Sequence, residues 1–300
     1  MEYPLVSICI PTYNRAATIG RALESATSQN YANLEIIVAD NASDDDTATV
    51  VESFADRDPR VKYVRHAANI GMVANLNTVI RLGSGKYRMW LADDDWIDDD
   101  LVGRCCELLE SEPELAMVAG RCREYRNGID EGARAPTNLL SDSPLLRILK
   151  YYATVADNSV FYGLYRSEFV CRYPMADNEI GADWQFLAAI ASHGKIRTIE
   201  GTYICRDASG VSSNLRKIAA GFGLTGIYLS EPYLAAAVAA YRDIARKSPA
   251  LEQWSAGKRR LLALSVFAVL LTKKVLLRRV YLGMQGIIAY AYAGRVQHDD

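Results

Sequence analysis

Among its six cysteines (Cys9, Cys105, Cys106, Cys122, Cys171 and Cys205) the sequence has no CxxC pair, which removes the commonest zinc and dithiol signatures. Cys9 lies in an apolar run and reads as a small core residue, and a reducing compartment is the expectation. No basic n-region or signal-type apolar stretch precedes the first strand-like run at Leu5, so cytoplasmic residence is the default. A charge excess is missing too: 34 Lys plus Arg against 36 Asp plus Glu leave a formal −2, which gives no global attraction to nucleic acid. Glycine is absent from PTYNRA (11–16), the turn after the first strand, and a dinucleotide-dependent oxidoreductase needs a Gly-rich phosphate turn there.

From Gln253 to Gln297 there is no acidic residue, while Lys258, Arg259, Arg260, Lys273, Lys274, Arg278 and Arg279 flank the apolar run LLALSVFAVLL (261–271). That run is too short to span a bilayer, which needs about 20 residues. Two readings stay open for residues 257–294: peripheral contact with the inner face of the membrane, or packing on the core or in a homodimer.

What is present is a core. Half of the 300 residues are hydrophobic, enough for one large core or for one core with an appended module. Strand-like runs LVSICI (5–10), LEIIVA (34–39), VKYVRH (61–66), YRMWLA (87–92) and LAMVAG (115–120) alternate with helical spacings at Ile19, Leu23 and Ala26, at Val50, Val51 and Phe54, and at Val73, Leu76, Val79 and Ile80. Continuous apolar character suits strands buried on both faces, and each crossover is long enough to return the chain for a parallel strand. The expected class is α/β, a Rossmann-like, mostly parallel sheet flanked by helices, with a helical C-terminal extension. Residues 121–150 lack periodicity and read as a loop region, followed by a strand SVFYGLYR (159–166), a helix DWQFLAAIASHG (183–194) and a strand IRTIEGTYICR (196–206). The expected divisions are 1–120 and 121–213, two halves of one domain, and 214–300, a helical region.

LADDDWIDDD (91–100) puts Asp93, Asp94 and Asp95 directly after a predicted buried strand, at the edge where ligands collect in open parallel sheets. Packed like charges repel unless a cation sits among them, and a hard divalent ion that prefers oxygen ligands and phosphate fits. A solvated acidic turn, or an N-cap for a helix starting near Asp98, is the alternative. Asp40 ends the second strand with Asn41 beside it, suited either to a nucleotide base or ribose or to an Asx-turn and helix cap with Ser43.

The blocks VSICIPTYNRAATIGRALES, LEIIVADNASDDDT, NIGMVANLNTVI and GKYRMWLADDDW, in that order and spacing, closely resemble the N-terminal half of glycosyltransferase family 2, densely over residues 4–120 and loosely to about 215. The resemblance implies an A-type glycosyltransferase fold, a nucleotide-diphospho-sugar donor, Mn²⁺ or Mg²⁺, and inversion at the anomeric carbon. It makes Pro11, Thr12 and Tyr13 the loop beside the base, Asp40 the acid that pairs with it, and Asn69 and Gly71 the loop after the third strand. Asp93, Asp94 and Asp95 fall in the DxD region, with Asp94 and Asp95 favoured as metal ligands. Asp183 falls in the acid-Asp-aromatic motif and becomes the catalytic base, an N-cap being its alternative; Arg206 opens CRDASGVSSN (205–214), the stretch that closes over the donor. The sequence departs from the family pattern at Ala74, Ala92 and Ala182, and no His follows Arg206. A metal-dependent transferase acting on a saccharide or lipid-linked saccharide is therefore expected, with a non-catalytic nucleotide-sugar-binding or assembly protein as the alternative.

Overall fold

The computed structural model describes residues 4–155, 158–176, 179–207, 219–220 and 223–276. Its first part alternates β1 (Val6–Thr12), α1 (Ile19–Thr27), β2 (Leu34–Asp40), α2 (Thr47–Ala55), β3 (Val61–Arg65), α3 (Met72–Leu82) and β4 (Tyr87–Trp90). The sheet order is β3-β2-β1-β4 with all three pairings parallel. β2 is buried along its whole length and β1 at all but Pro11, as the unbroken apolar runs require of strands covered on both faces. Val6, Ile8 and Ile10 of β1 pack with Ile19 and Leu23 of α1, whereas Cys9 packs with Val79 and Ile80 of α3 on the opposite face. Period-two alternation thus divides one sheet between two cores.

Beyond β4 the chain forms β5 (Trp96–Ile97), α4 (Leu101–Ser111), β6 (Leu115–Arg126) and β7 (Ile129–Ala133). Then come α5 (Pro144–Thr154), a 3₁₀ turn (Ser159–Tyr162), β8 (Leu164–Arg166), α6 (Ser167–Val170), α7 (Ala182–His193) and β9 (Lys195–Asp207). These strands continue the same sheet as β4-β8-β6-β9-β5, with β7 on β6. Antiparallel β8 joins the parallel β6-β9 pair to β4, so the sheet is mixed.

Three expectations differ from the structure. Residues 121–150 are not a loop: β6 continues to Arg126, and Asn127 and Gly128, both left-handed at φ 52° and 79°, make the tight turn into β7. Further on, Ser143 caps α5 by accepting the Leu146 N–H, with Pro144 in the first turn. SVFYGLYR is a strand only at 164–166; its first four residues wind into the 3₁₀ turn, a difference that apolar character alone does not encode. The helix expected near Asp98 begins at Leu101, because Asp98 and Asp100 are spent on β9, accepting the Tyr203 N–H at 3.0 Å and the Thr202 hydroxyl at 2.6 Å.

Two further helices, α8 (Pro232–Arg242) and α9 (Ala256–Leu270), close the larger core. Leu262, Ala263, Val266 and Leu270 of the apolar run are buried there, while Leu261 and Leu264 are exposed on the outer side. Among the described residues no helix is long and apolar enough to cross a membrane. Residues 277–294, the distal part of the basic tail, lie outside the described residues.

Candidate active site

Parallel register places Thr12 opposite Asp40 at the carboxyl ends of β1 and β2. Pro11 and Thr12 complete β1, and Tyr13 emerges beyond it, exposed. Asp40 is fully buried, and both its carboxylate oxygens are engaged. One accepts the backbone N–H and the hydroxyl of Ser43 at 2.8 and 2.6 Å, the other the Tyr63 phenol at 2.5 Å, with Arg65 3.8 Å away. Asn41 is a clamp: its side-chain oxygen accepts the Ile70 N–H and its amide donates to Asn69 Oδ1, both at 2.8 Å. Asn69 Oδ1 also accepts the Gly71 N–H, and Gly71, at φ 90°, starts α3 in a backbone conformation that side chains rarely adopt. Asn41 and the 69–71 loop are thus partners of one another, whereas the strand-two acid is tied to Ser43 and Tyr63.

Across β1, the three acids leave β4 in different environments. Asp93 lies 3.4 Å from Arg15 Nε, and burial pushes its carboxyl up to about 6 against the pull of Thr12 and Arg15. Asp95 is 2% exposed; burial raises it to about 7 although Arg206 Nε is 3.4 Å away and the Asp207 N–H donates to it at 3.2 Å. Asp94 is half-buried, and its backbone carbonyl accepts from Arg21. The Arg21 guanidinium covers the Trp96 ring at 3.9 Å, and Trp96 lies against Tyr125 at 4.9 Å. Trp184, by contrast, is a core residue.

Asp183 reaches the same region from α7. Gly181 holds the N-cap position, so Asp183 is not the cap; it stands in the first turn with Asn158 Nδ2 donating to its Oδ2 at 2.7 Å. Burial raises its carboxyl, while Asn158 and the nearby Arg206 charge pull it down. Tyr162 ties the parts together: its half-buried phenol feels the charges of Arg206, Asp95, Asp94 and Asp183, with the Arg206 guanidinium 5.3 Å from its ring. Charged groups from the acidic loop, β9 and α7 therefore all act electrostatically on one aromatic side chain. Sequence reasoning singled out neither Tyr162 nor Asn158; both stand in an apolar stretch with no motif spacing. Of CRDASGVSSN, residues 208–214 lie outside the described residues.

Among the described residues no group of three His, Cys, Asp or Glu side chains is arranged to hold a cation alone. The acidic loop still fits a hard divalent ion. Mg²⁺-type sites use one or two carboxylates with substrate phosphates supplying the rest; the buried Asp95 carboxyl, whose ionised form is penalised, gains from an added cation, and half-buried Asp94 adjoins it in the chain.

The profile described as "Glycosyl transferase family 2" matches residues 7–172. Chondroitin synthase of Escherichia coli is 36% identical over 115 residues, covering 38% of this chain and 17% of that protein. A Campylobacter jejuni protein named GalNAc(5)-diNAcBac-PP-undecaprenol beta-1,3-glucosyltransferase is 34% identical over 127 residues, 42% of this chain and 40% of its own. The chain thus spans less than half the length of these curated relatives. Among solved structures, a Pyrobaculum calidifontis mannosyltransferase in complex with GDP-Man and Mn²⁺ aligns with a TM-score of 0.58 at 17% identity, over 97% of this chain and 81% of that one. S. aureus TarS 1-349 in complex with UDP-GlcNAc aligns at 0.56 and 16%, over 87% and 80%.

Proposed function

The chain belongs to glycosyltransferase family 2 and has the A-type fold; from that premise we propose that it is an inverting glycosyltransferase moving a sugar from a nucleotide-diphospho-sugar to an acceptor hydroxyl. Polysaccharide, lipopolysaccharide or glycoconjugate synthesis is the setting we assign. The observation that carries this reading is that Arg206 of β9 lies 3.4 Å from Asp95 of the acidic loop and 5.3 Å from the Tyr162 ring, and that its charge also acts on Asp183 of α7, which links diphosphate-side and acceptor-side groups. We divide the catalytic unit at about residue 120, with the donor on β1 to β4 and the acceptor against the part carrying α7.

In this mechanism Asp183 takes the proton of the acceptor hydroxyl as that oxygen attacks the anomeric carbon. The bond from that carbon to the diphosphate oxygen breaks with its electron pair on the departing nucleoside diphosphate, and the centre inverts. Arg206 neutralises the charge that develops there. Asp94 and Asp95 are the residues that would hold Mn²⁺ or Mg²⁺, which when bound supplies positive charge beside the diphosphate. Tyr13, Pro11 and Thr12 would flank the base, Asp40 would pair with it on exchanging its contacts to Ser43 or Tyr63, and Asn41, Asn69 and Gly71 would shape the pocket wall. Asp93, at the end of β4, would face the ribose.

Asp183→Asn tests the assignment. Donor binding should stay near normal while turnover falls by a factor on the order of 10² or more. Release of nucleoside diphosphate from a panel of UDP-, GDP- and dTDP-sugars, with and without EDTA, also separates an enzyme from a non-catalytic binding protein, which would release none under either condition.

For the acceptor side we assign an anionic lipid surface to α9. Its outer strip, Leu261 and Leu264, is apolar and lies between exposed Lys258 and Arg260, a combination that suits an interfacial helix better than a second copy of the same basic face.

A further inference from the structure

We infer that Asn158, itself locked by Tyr151, is a positioning residue that holds the Asp183 carboxylate in the orientation proton transfer requires; this rests on the reading of Asp183 as the base. Asn158 is 6% exposed and adopts the left-handed conformation, φ 59° and ψ 24°, at the start of the 3₁₀ turn. Few residues other than Asn, Asp and Gly tolerate that backbone. Its amide bridges two elements: Nδ2 donates to Asp183 Oδ2 at 2.7 Å, and Oδ1 accepts the Tyr151 phenol at 2.6 Å. Tyr151, on α5, is 1% exposed, so the bridge is sheltered from water.

The order of donors matters. With the phenol donating to Oδ1, the amide is turned so that its N–H group meets the carboxylate. A flipped amide would set a carbonyl oxygen against Asp183, which could then be accommodated only in protonated form, useless as a base. The bridge therefore fixes the carboxylate plane and favours the ionised state that burial opposes. Among the described residues the other titratable or charged groups facing Asp183 are Tyr152 on α5, Tyr162 in the 3₁₀ turn, Tyr165 on β8 and Arg206 on β9. The three phenols are themselves held protonated by burial, and the groups that favour ionised Asp183 are Asn158 first, then the backbone N–H groups of Trp184 and Asp183, then Arg206.

The experiment is a pH titration of aspartate side-chain carboxyls by ¹³C NMR on the whole protein, with the Asp183 signal assigned by its loss in Asp183→Asn. Asn158→Gly keeps the left-handed backbone and deletes the amide, and Asn158→Asp keeps both backbone and shape while replacing the donor with an acid. In both, the Asp183 midpoint should rise by on the order of one pH unit, the scale of a hydrogen bond to a charged group. Tyr151→Phe, which frees the amide to flip, should raise it less. Nucleoside diphosphate release from the same donor panel is measured alongside. Loss of release in Asp183→Asn with unmoved midpoints in both Asn158 variants overturns the positioning role alone. Full release in Asp183→Asn overturns Asp183 as the base, and this role with it.

Discussion

Asp95 carries the largest conflict of any single residue in the site: almost fully buried, acidic, and raised to about 7 with Arg206 as its neighbour. An ion held at that cost should respond to an added cation. Replacing it by Asn should leave the metal-free melting temperature close to the parent's, yet abolish the stabilisation that Mn²⁺ plus a nucleoside diphosphate gives the parent, which follows ligand linkage. Thermal melts with and without the pair decide it, and a full shift retained in Asp95→Asn would remove that carboxylate from the metal assignment. Legibility was uneven at this scale. Asp93 to Asp95 were visible because three acids after a buried run are improbable as packing. Asn158 and Tyr162 were not, because an Asn that bridges a phenol to a carboxylate looks like any turn residue until its partners, 7 and 25 positions away, are folded around it. Asp40 shows the reverse: its position was legible, but its ties to Ser43 and Tyr63 were not.

Among the elements, the parallel strands and their crossovers were legible from continuous apolar runs, because burial on both faces leaves no other choice of residue. The β6-β7 hairpin was written as Asn127-Gly128 but obscured by the exposed, polar character of β7. The turn before β8 depends on Gly163. A Cβ there would meet the Val118 carbonyl at 2.8 Å and the Ala119 side chain at 2.9 Å. Gly163→Ala should cost about 1–3 kcal/mol by overpacking, seen as a lower denaturation midpoint, and should also weaken donor binding because Tyr162 moves with it. A midpoint equal to the parent's would refute the packing argument. Just after α8, Asp243 is raised to about 7, well above the ordinary carboxylate range, by burial and then by the charge of Glu179. The native state thus binds a proton more readily than the unfolded chain. The contribution is present below about pH 4 and lost as pH rises through about 7. Asp243→Asn should therefore melt higher than the parent at about pH 8, with the gap closing by about pH 4; melts across that range would contradict the sign if the gap stayed constant.

In the molecule as a whole, two parallel blocks, β3-β2-β1-β4 and β6-β9, are joined by antiparallel β8, and the candidate site lies across that joint. The first block was legible from pattern, whereas the join was not, since β8 has only three residues and its pairing is set by partners distant in the chain. If α9 rests on lipid, the protein should float with anionic vesicles at low salt and be released as salt rises, whereas Leu264→Asp should sink at either salt concentration. Sedimentation of the parent as a dimer without flotation would instead give that face to a second copy. β9 adds a constraint on protein engineering. It runs from Lys195 to Asp207, paired with β6 on either side of a bulge at residues 200–202 and with β5 near its end, so Arg206 meets Asp95 only with that bulge and register kept. A chimera that takes its acids from one homologue and its arginine from another has to carry β5, β6 and β9 across the junction together. Cut between them, the graft would be out of step with its host.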